Sequence, residues 1–229
     1  MFGNENQPYY VNAEQAGFKP TFFGKVMFFF AVAIMMSVLA VFIGNEYLLQ
    51  YFFVTPGLIY VLFIAELALI FTARTWSTKV PLNRFLFALF AFITGLTIAP
   101  LISVVAAMPS GVALLSKALI ITSMTFTATA LIGWTTKMDL SGMRTFLMMT
   151  IIGMIIVSVI GIFIPWGNTF EMVFSGIGVL LFSAFTAYDF QKIKRFPEDR
   201  YIDAALMLYL DIFNLFIYIL RLLLSLRNR

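Results

Sequence analysis

The chain has neither cysteine nor histidine among its 229 residues. Those two absences remove thiol nucleophiles, disulfides, haem ligation through His or Cys, histidine general-base catalysis and the usual zinc sites. Only hard oxygen ligands remain for any cation. Charge is scarce as well: Asp, Glu, Lys and Arg make up 11% of the residues against 62% hydrophobic ones, and the mean hydropathy is +0.97. Apolar runs of about 20 residues recur along the chain, the length that a bilayer core of roughly 30 Å requires at 1.5 Å per helical residue. These proportions exclude a soluble domain and describe an all-α, polytopic membrane protein. The polar connections are short, which leaves no room for a separate soluble enzyme, so function must lie among the helices or at their ends.

Hydropathy places seven spans, at 26–43, 56–73, 85–107, 112–134, 146–165, 173–189 and 204–226. They form one transmembrane domain over 22–229, preceded by a polar tail over 1–21. That tail lacks the basic, apolar and small-residue succession of a signal peptide, so the first span is expected to be an uncleaved anchor. Pro56 suits a first helical turn and Pro165 a stop, while Gly95 and Pro100 predict a kink in the third span. The absence of an internal repeat argues against a transporter of two inverted halves. Basic residues set the orientation. Lys19 and Lys25, then Arg74, Lys79 and Arg84, then Lys137 and Arg144, then Lys192, Lys194, Arg195 and Arg200 all fall in alternate connections, which places those connections and the amino terminus in the cytoplasm. Arg227 and Arg229 depart from that pattern. Compactness and short tails point to a bacterial inner membrane. The net charge of +4 and pI near 9.4 reflect basic loops lying against anionic headgroups, and no nucleic-acid partner is expected.

Of eleven acidic residues, Glu66, Asp189 and Asp211 are the ones in or at the end of apolar spans. An ionised carboxylate at the centre of a membrane helix costs about 2.5–3.5 kcal/mol on insertion scales, so such groups face the bundle interior and mark ion or proton paths. Lys117 lies near the start of its span and can snorkel to the interface. Asp211, Asn214, Tyr218 and Arg221 follow one another at helical spacing and give the last span a polar seam. Asp189 ends the sixth span, with Thr186 a turn earlier on a similar face. The short charged linker 191–203 makes these two spans antiparallel neighbours. Asp189 then sits at the cytoplasmic end of its helix and Asp211 about 10 Å deep in the next. An early helix start or a kink brings them into contact. Two carboxylates in one poorly hydrated site cannot comfortably both ionise, so the pair shares a proton and acts as a latch. The alternative is that both merely cap helix ends or bind loop amides.

Four segments give the chain a family look: Thr-Gly-Leu-Thr with the following Ala-Pro at 94–100, Thr-Thr-Lys-Met-Asp-Leu-Ser-Gly at 135–142, Ala-Tyr-Asp at 187–189 and Leu-Tyr-Leu-Asp with Asn three residues on at 208–214. The chain resembles the Bax inhibitor-1 family over essentially every span, most specifically in the two aspartate segments. The resemblance implies a seven-helix bundle with the last helix central and a calcium leak that responds to pH. It makes Asp189 and Asp211 the pH-sensing pair and places Glu66 on the ion path, with calcium held weakly and transiently by the three acids and no cofactor tightly bound. Some bacterial members carry an arginine that clamps the pair, but that position is Ser77 here, with Arg74 a turn away as a substitute. A second role seen among relatives is regulatory, with the chain binding a membrane protease or another membrane partner and conducting nothing. An intramembrane aspartyl protease would need Gly-x-Gly-Asp, whereas Leu-Tyr-Leu precedes Asp211, and a retinal protein would need a lysine in the last span.

Overall fold

The computed structural model describes residues 20–55 and 57–227, and among these the chain is helical without a strand. Lys19, Pro56, Arg229 and nearly all of the tail 1–21 lie outside the described residues. The helices are α1 (Pro20–Ile43), α2 (Leu49–Val54), α3 (Gly57–Phe71), α4 (Ala73–Trp76), α5 (Leu82–Ala107), α6 (Gly111–Thr135), α7 (Met143–Phe163), α8 (Asn168–Ile193) and α9 (Tyr201–Arg227). A π-helical turn at Gly44–Leu48 joins α1 to α2, so the first apolar stretch runs from Thr21 to Val54 and outlasts the expected 26–43. Six helical segments have the length and apolarity to cross a bilayer. The second expected span is a shorter apolar helix, α3, of 15 residues.

Helix ends follow backbone chemistry more closely than hydropathy. α8 starts at Asn168 and ends at Ile193, four to five residues beyond the apolar window at each end, because Glu171, Gln191 and Lys192 are compatible with a helix though not with a lipid-scale average. The fifth span ends earlier than expected: α7 stops at Phe163, ahead of Pro165, since the residue before a proline is pushed out of helical geometry. α5 stays helical through Gly95 and Pro100.

Small residues set the helix packing. In lipid there is no hydrophobic drive between helices, so they associate where backbones can come close. A methyl group on Gly95 of α5 would lie 2.4 Å from the Ser37 carbonyl oxygen of α1, and one on Gly133 of α6 would lie 2.1 Å from that of Ala187 on α8. Ala33, Ala40, Ala91, Ala99, Ala118, Ala204 and Ala205 have no exposed surface. α9 packs against α8, α1, α6 and α5, while α3 packs on α5 and α7 on α8. The outward faces are large and apolar: Phe28, Met35 and Phe42 recur every seven residues on α1 and are more than 60% exposed, where lipid replaces a protein partner.

Gly133→Val should lower the detergent unfolding temperature by an amount equivalent to about 1–3 kcal/mol of overpacking. Gly176→Ala, whose added methyl meets nothing within 4 Å, should leave it unchanged or raised. Equal melting of the two variants would remove the close-approach account.

Candidate functional site

Asp189 and Asp211 are both buried, 5% and 4% exposed, on neighbouring helices. α8 and α9 run antiparallel. Arg221 on α9 donates to Glu171 Oε2 on α8 at 2.9 Å, Asn168 Nδ2 donates to the Ser225 carbonyl at 2.9 Å, and the Tyr218 ring fills the notch left by Gly178. That register sets Asp211 about one to two helical turns deeper than the residue facing Asp189. Side chains lean towards the amino end of their own helix, so on antiparallel neighbours the two carboxylates lean towards each other. Each feels the other's charge, yet no hydrogen bond joins them among the described side chains. Asp189 Oδ1 and Asp211 Oδ2 are buried without a hydrogen-bond partner. Those two oxygens take no part in helix capping or loop-amide binding.

The positive charge that acts on both carboxylates is Lys192, one turn beyond Asp189 on α8. Its ammonium also lies 5.7 Å from the Tyr188 ring centroid and 5.5 Å from that of Phe196, which holds the stem along the helix end. Arg74 does not serve as the expected substitute clamp. It sits on the one-turn helix α4 with an exposed side chain and makes no ion pair with either aspartate among the described residues. Ser77, at the clamp position, is buried and its hydroxyl is unpartnered. Lys192 was legible as an i+3 neighbour of Asp189 on a helix that hydropathy ended too soon.

The polar seam of α9 is divided in use. Asn214 Nδ2 donates to the Leu210 carbonyl of its own helix at 2.7 Å, Tyr218 stacks on Phe182, and Arg221 pairs with Glu171, which the sequence reading had left outside the span. Thr186 is fully buried and donates to the Phe182 carbonyl at 2.8 Å, so its hydroxyl is occupied within α8.

Glu66 is apart from the aspartates. Thr97 Oγ1 on α5 donates to its Oε1 at 2.6 Å. On the same helix Thr94 donates to the Phe90 carbonyl at 2.8 Å, while Ser37 Oγ of α1 lies 2.9 Å from the Ala91 carbonyl oxygen of α5 and 2.7 Å from the Tyr209 hydroxyl of α9. A line of oxygens thus runs from α3 through α5 and α1 to α9, two residues before Asp211. Thr94 and Thr97 belong to the Thr-Gly-Leu-Thr segment and Tyr209 to Leu-Tyr-Leu-Asp, but a polar residue inside an apolar helix gives no signal of the partner it meets, and Ser37 stands in no motif. Among the described residues no group of three acidic, His or Cys side chains gathers to hold a metal. Glu66, Asp189 and Asp211 are therefore not gathered into one cage.

At the α8 end the α6–α7 connection is pinned. Gln191 Oε1 accepts from the Leu140 amide at 2.8 Å and its Nε2 donates to the Met138 carbonyl at 2.7 Å. Lys194 donates to the Trp134 carbonyl and lies over the Trp134 ring.

The model of the family described as "Inhibitor of apoptosis-promoting Bax1" matches residues 19–229. An uncharacterized Helicobacter pylori protein is 33% identical over 195 residues, covering 85% of this chain and 82% of its own length. A BI1-like protein of Arabidopsis thaliana is 35% identical over 172 residues, 74% of this chain and 66% of its own. The inner membrane protein YbhL of Escherichia coli is 34% identical over 178 residues, 70% of this chain and 71% of its own. The chain belongs to the Bax inhibitor-1 family and is an integral membrane protein.

Removing the Gln191 amide tests the pinned connection. Gln191→Leu should speed hydrogen exchange at the Leu140 amide by roughly fivefold or more, the equivalent of about 1 kcal/mol for one hydrogen bond. Exchange equal to wild type would show that the connection holds itself.

Proposed function

We propose that the chain is a pH-sensitive leak for cations, calcium among them, in which Asp189 and Asp211 share a proton and gate the passage. The observation that carries this reading is the placement of two carboxylates, each with an unpartnered oxygen, out of water between α8 and α9 with the Lys192 charge acting on both. Coulomb repulsion at close range and loss of hydration oppose two negative charges there, so proton exchange changes how strongly α8 and α9 repel each other. Glu66 and the Thr97, Thr94 and Tyr209 oxygens supply the deeper stations. Hard oxygen donors suit calcium, and their dispersal suits passage better than storage.

The membrane arrangement in this reading has seven crossings, with α3 as the short one and α9 at the bundle axis. Its packing against α1, α5, α6 and α8 supports that position. The basic loops put the amino terminus in the cytoplasm, and the name of the E. coli relative supports a bacterial inner membrane. In this reading the chain conducts ions and is not an enzyme.

Liposomes loaded with a calcium dye test the proposal across pH 6 to 8. Wild type should show flux that changes with pH. Asp189→Asn and Asp211→Asn each remove one partner in the shared proton, so flux through them should become nearly independent of pH. Glu66→Gln should slow flux and keep its pH response. Flux with an unaltered pH response in both aspartate variants would dispose of the latch, and no flux in any variant would favour the non-conducting regulatory role with a membrane-protein partner.

A further inference from the structure

The α6–α7 connection and the end of α8 enclose a cavity of about 240 Å³. Three cations line it, Arg144 from the first turn of α7 and Lys192 and Arg195 from the end of α8, against a single carboxylate, Asp139. That carboxylate is occupied within its own turn: Oδ1 accepts from the Ser141 amide at 3.0 Å and Oδ2 from the Ser141 hydroxyl at 2.9 Å. Neither guanidinium donates a side-chain hydrogen bond or closes an ion pair among the described residues. The cavity therefore carries an excess of positive charge and two forked donor groups without acceptors. The amino end of α7 opens at the same place, with no acidic residue in its first turn and no side-chain cap, so its peptide dipoles add to the positive potential. The wall is held in shape by the Gln191 contacts to Met138 and Leu140.

We propose that this cavity binds a phosphate group, carried by an anionic phospholipid headgroup or by a free phosphate ion. Guanidinium forks match phosphate oxygens in pairs, and the volume admits a phosphate with its first substituent. A lipid source is open to it because the neighbouring α7 turns Phe146 and Met149 outward, 64% and 62% exposed, where acyl chains run beside the cavity mouth. Lys192 belongs both to this wall and to the charge environment of Asp189 and Asp211. A bound phosphate draws that ammonium's field away from the aspartates, which links headgroup occupancy to the latch; this link rests on the proposed latch, whereas the binding does not.

The test is native mass spectrometry of the full chain in a neutral detergent, titrated with short-chain phosphatidic acid, short-chain phosphatidylcholine or inorganic phosphate. Wild type should retain phosphatidic acid over phosphatidylcholine. Arg144→Gln combined with Arg195→Gln should weaken retention by roughly tenfold or more, as loss of charge-assisted hydrogen bonds requires. Lys79→Gln combined with Lys137→Gln removes the same charge outside the cavity and should leave retention as in wild type. Arg144→Lys with Arg195→Lys, keeping the charge, should fall between, which separates lost recognition from a failure to fold. Retention of inorganic phosphate with the same sensitivity assigns the site to the free ion, and retention of the lipid alone assigns it to the headgroup. Equal loss in the cavity and control pairs, equal retention of both lipids, or no retention of phosphatidic acid or phosphate would overturn the proposal. Flux plays no part in the readout, so failure here is distinguishable from failure of the leak.

Discussion

Everything in this bundle depends on backbones meeting without side chains between them. Lipid solvates Leu and Phe as well as a protein interior does, so large apolar residues give the helices no reason to associate, and association falls to close contact at small ones. Gly133 against Ala187 fixes α6 on α8 two residues from Asp189, and Gly95 against Ser37 fixes α5 on α1 beside the hydroxyl that meets Tyr209. Gly178 admits the Tyr218 ring and sets the register of α8 on α9. The burial of both aspartates follows from those contacts, because helices held further apart would let water or lipid reach them.

The charges are placed with the same economy. Ser77 stands where the resemblance led one to expect a clamping arginine, and the cation that acts on both aspartates is Lys192, on the same helix as one of them. A cation within α8 keeps its distance from Asp189 whatever α3 and α4 do. The ion pair of Arg221 with Glu171 ties the opposite ends of α8 and α9 and leaves the aspartate end to a short connection. Polar chemistry is thus divided along one helix pair, with an ionic fastening at one end and the titratable groups near the other.

Much of this was legible in the chain itself. Composition fixed the solvent and the all-helical class, and the scarcity of acids in apolar runs drew attention to Glu66, Asp189 and Asp211. The helical spacing on α9 announced a polar seam, though its members serve different neighbours. Helix ends were less legible: hydropathy averages clipped α8 at both ends, hiding Glu171 and Lys192, because those residues favour water over lipid while remaining good helix formers. The split of the first stretch by a π-helical turn had no sequence signal beyond Gly44, whose added methyl would meet Ala99 at 2.7 Å. Arg74 lies a turn before Ser77, but its side chain is exposed where that of Ser77 is buried, a difference of helix face that spacing alone did not settle. That Thr97 of the Thr-Gly-Leu-Thr segment meets Glu66 was illegible for a different reason: a hydrogen bond between helices depends on their rotation, which no single segment encodes.

Contact between bare backbones has a mechanical side. Where α6 meets α8 at Gly133 and Ala187 there is no bulky gatekeeper whose rotamer could flip aside in nanoseconds, and main-chain atoms already in contact cannot be compressed. In the proposed leak, water would reach the carboxylate two residues away by α8 rolling or sliding as a rigid rod along its neighbour. Such displacements belong to the microsecond-to-millisecond regime, so gating of that kind would run at the tempo of whole helices.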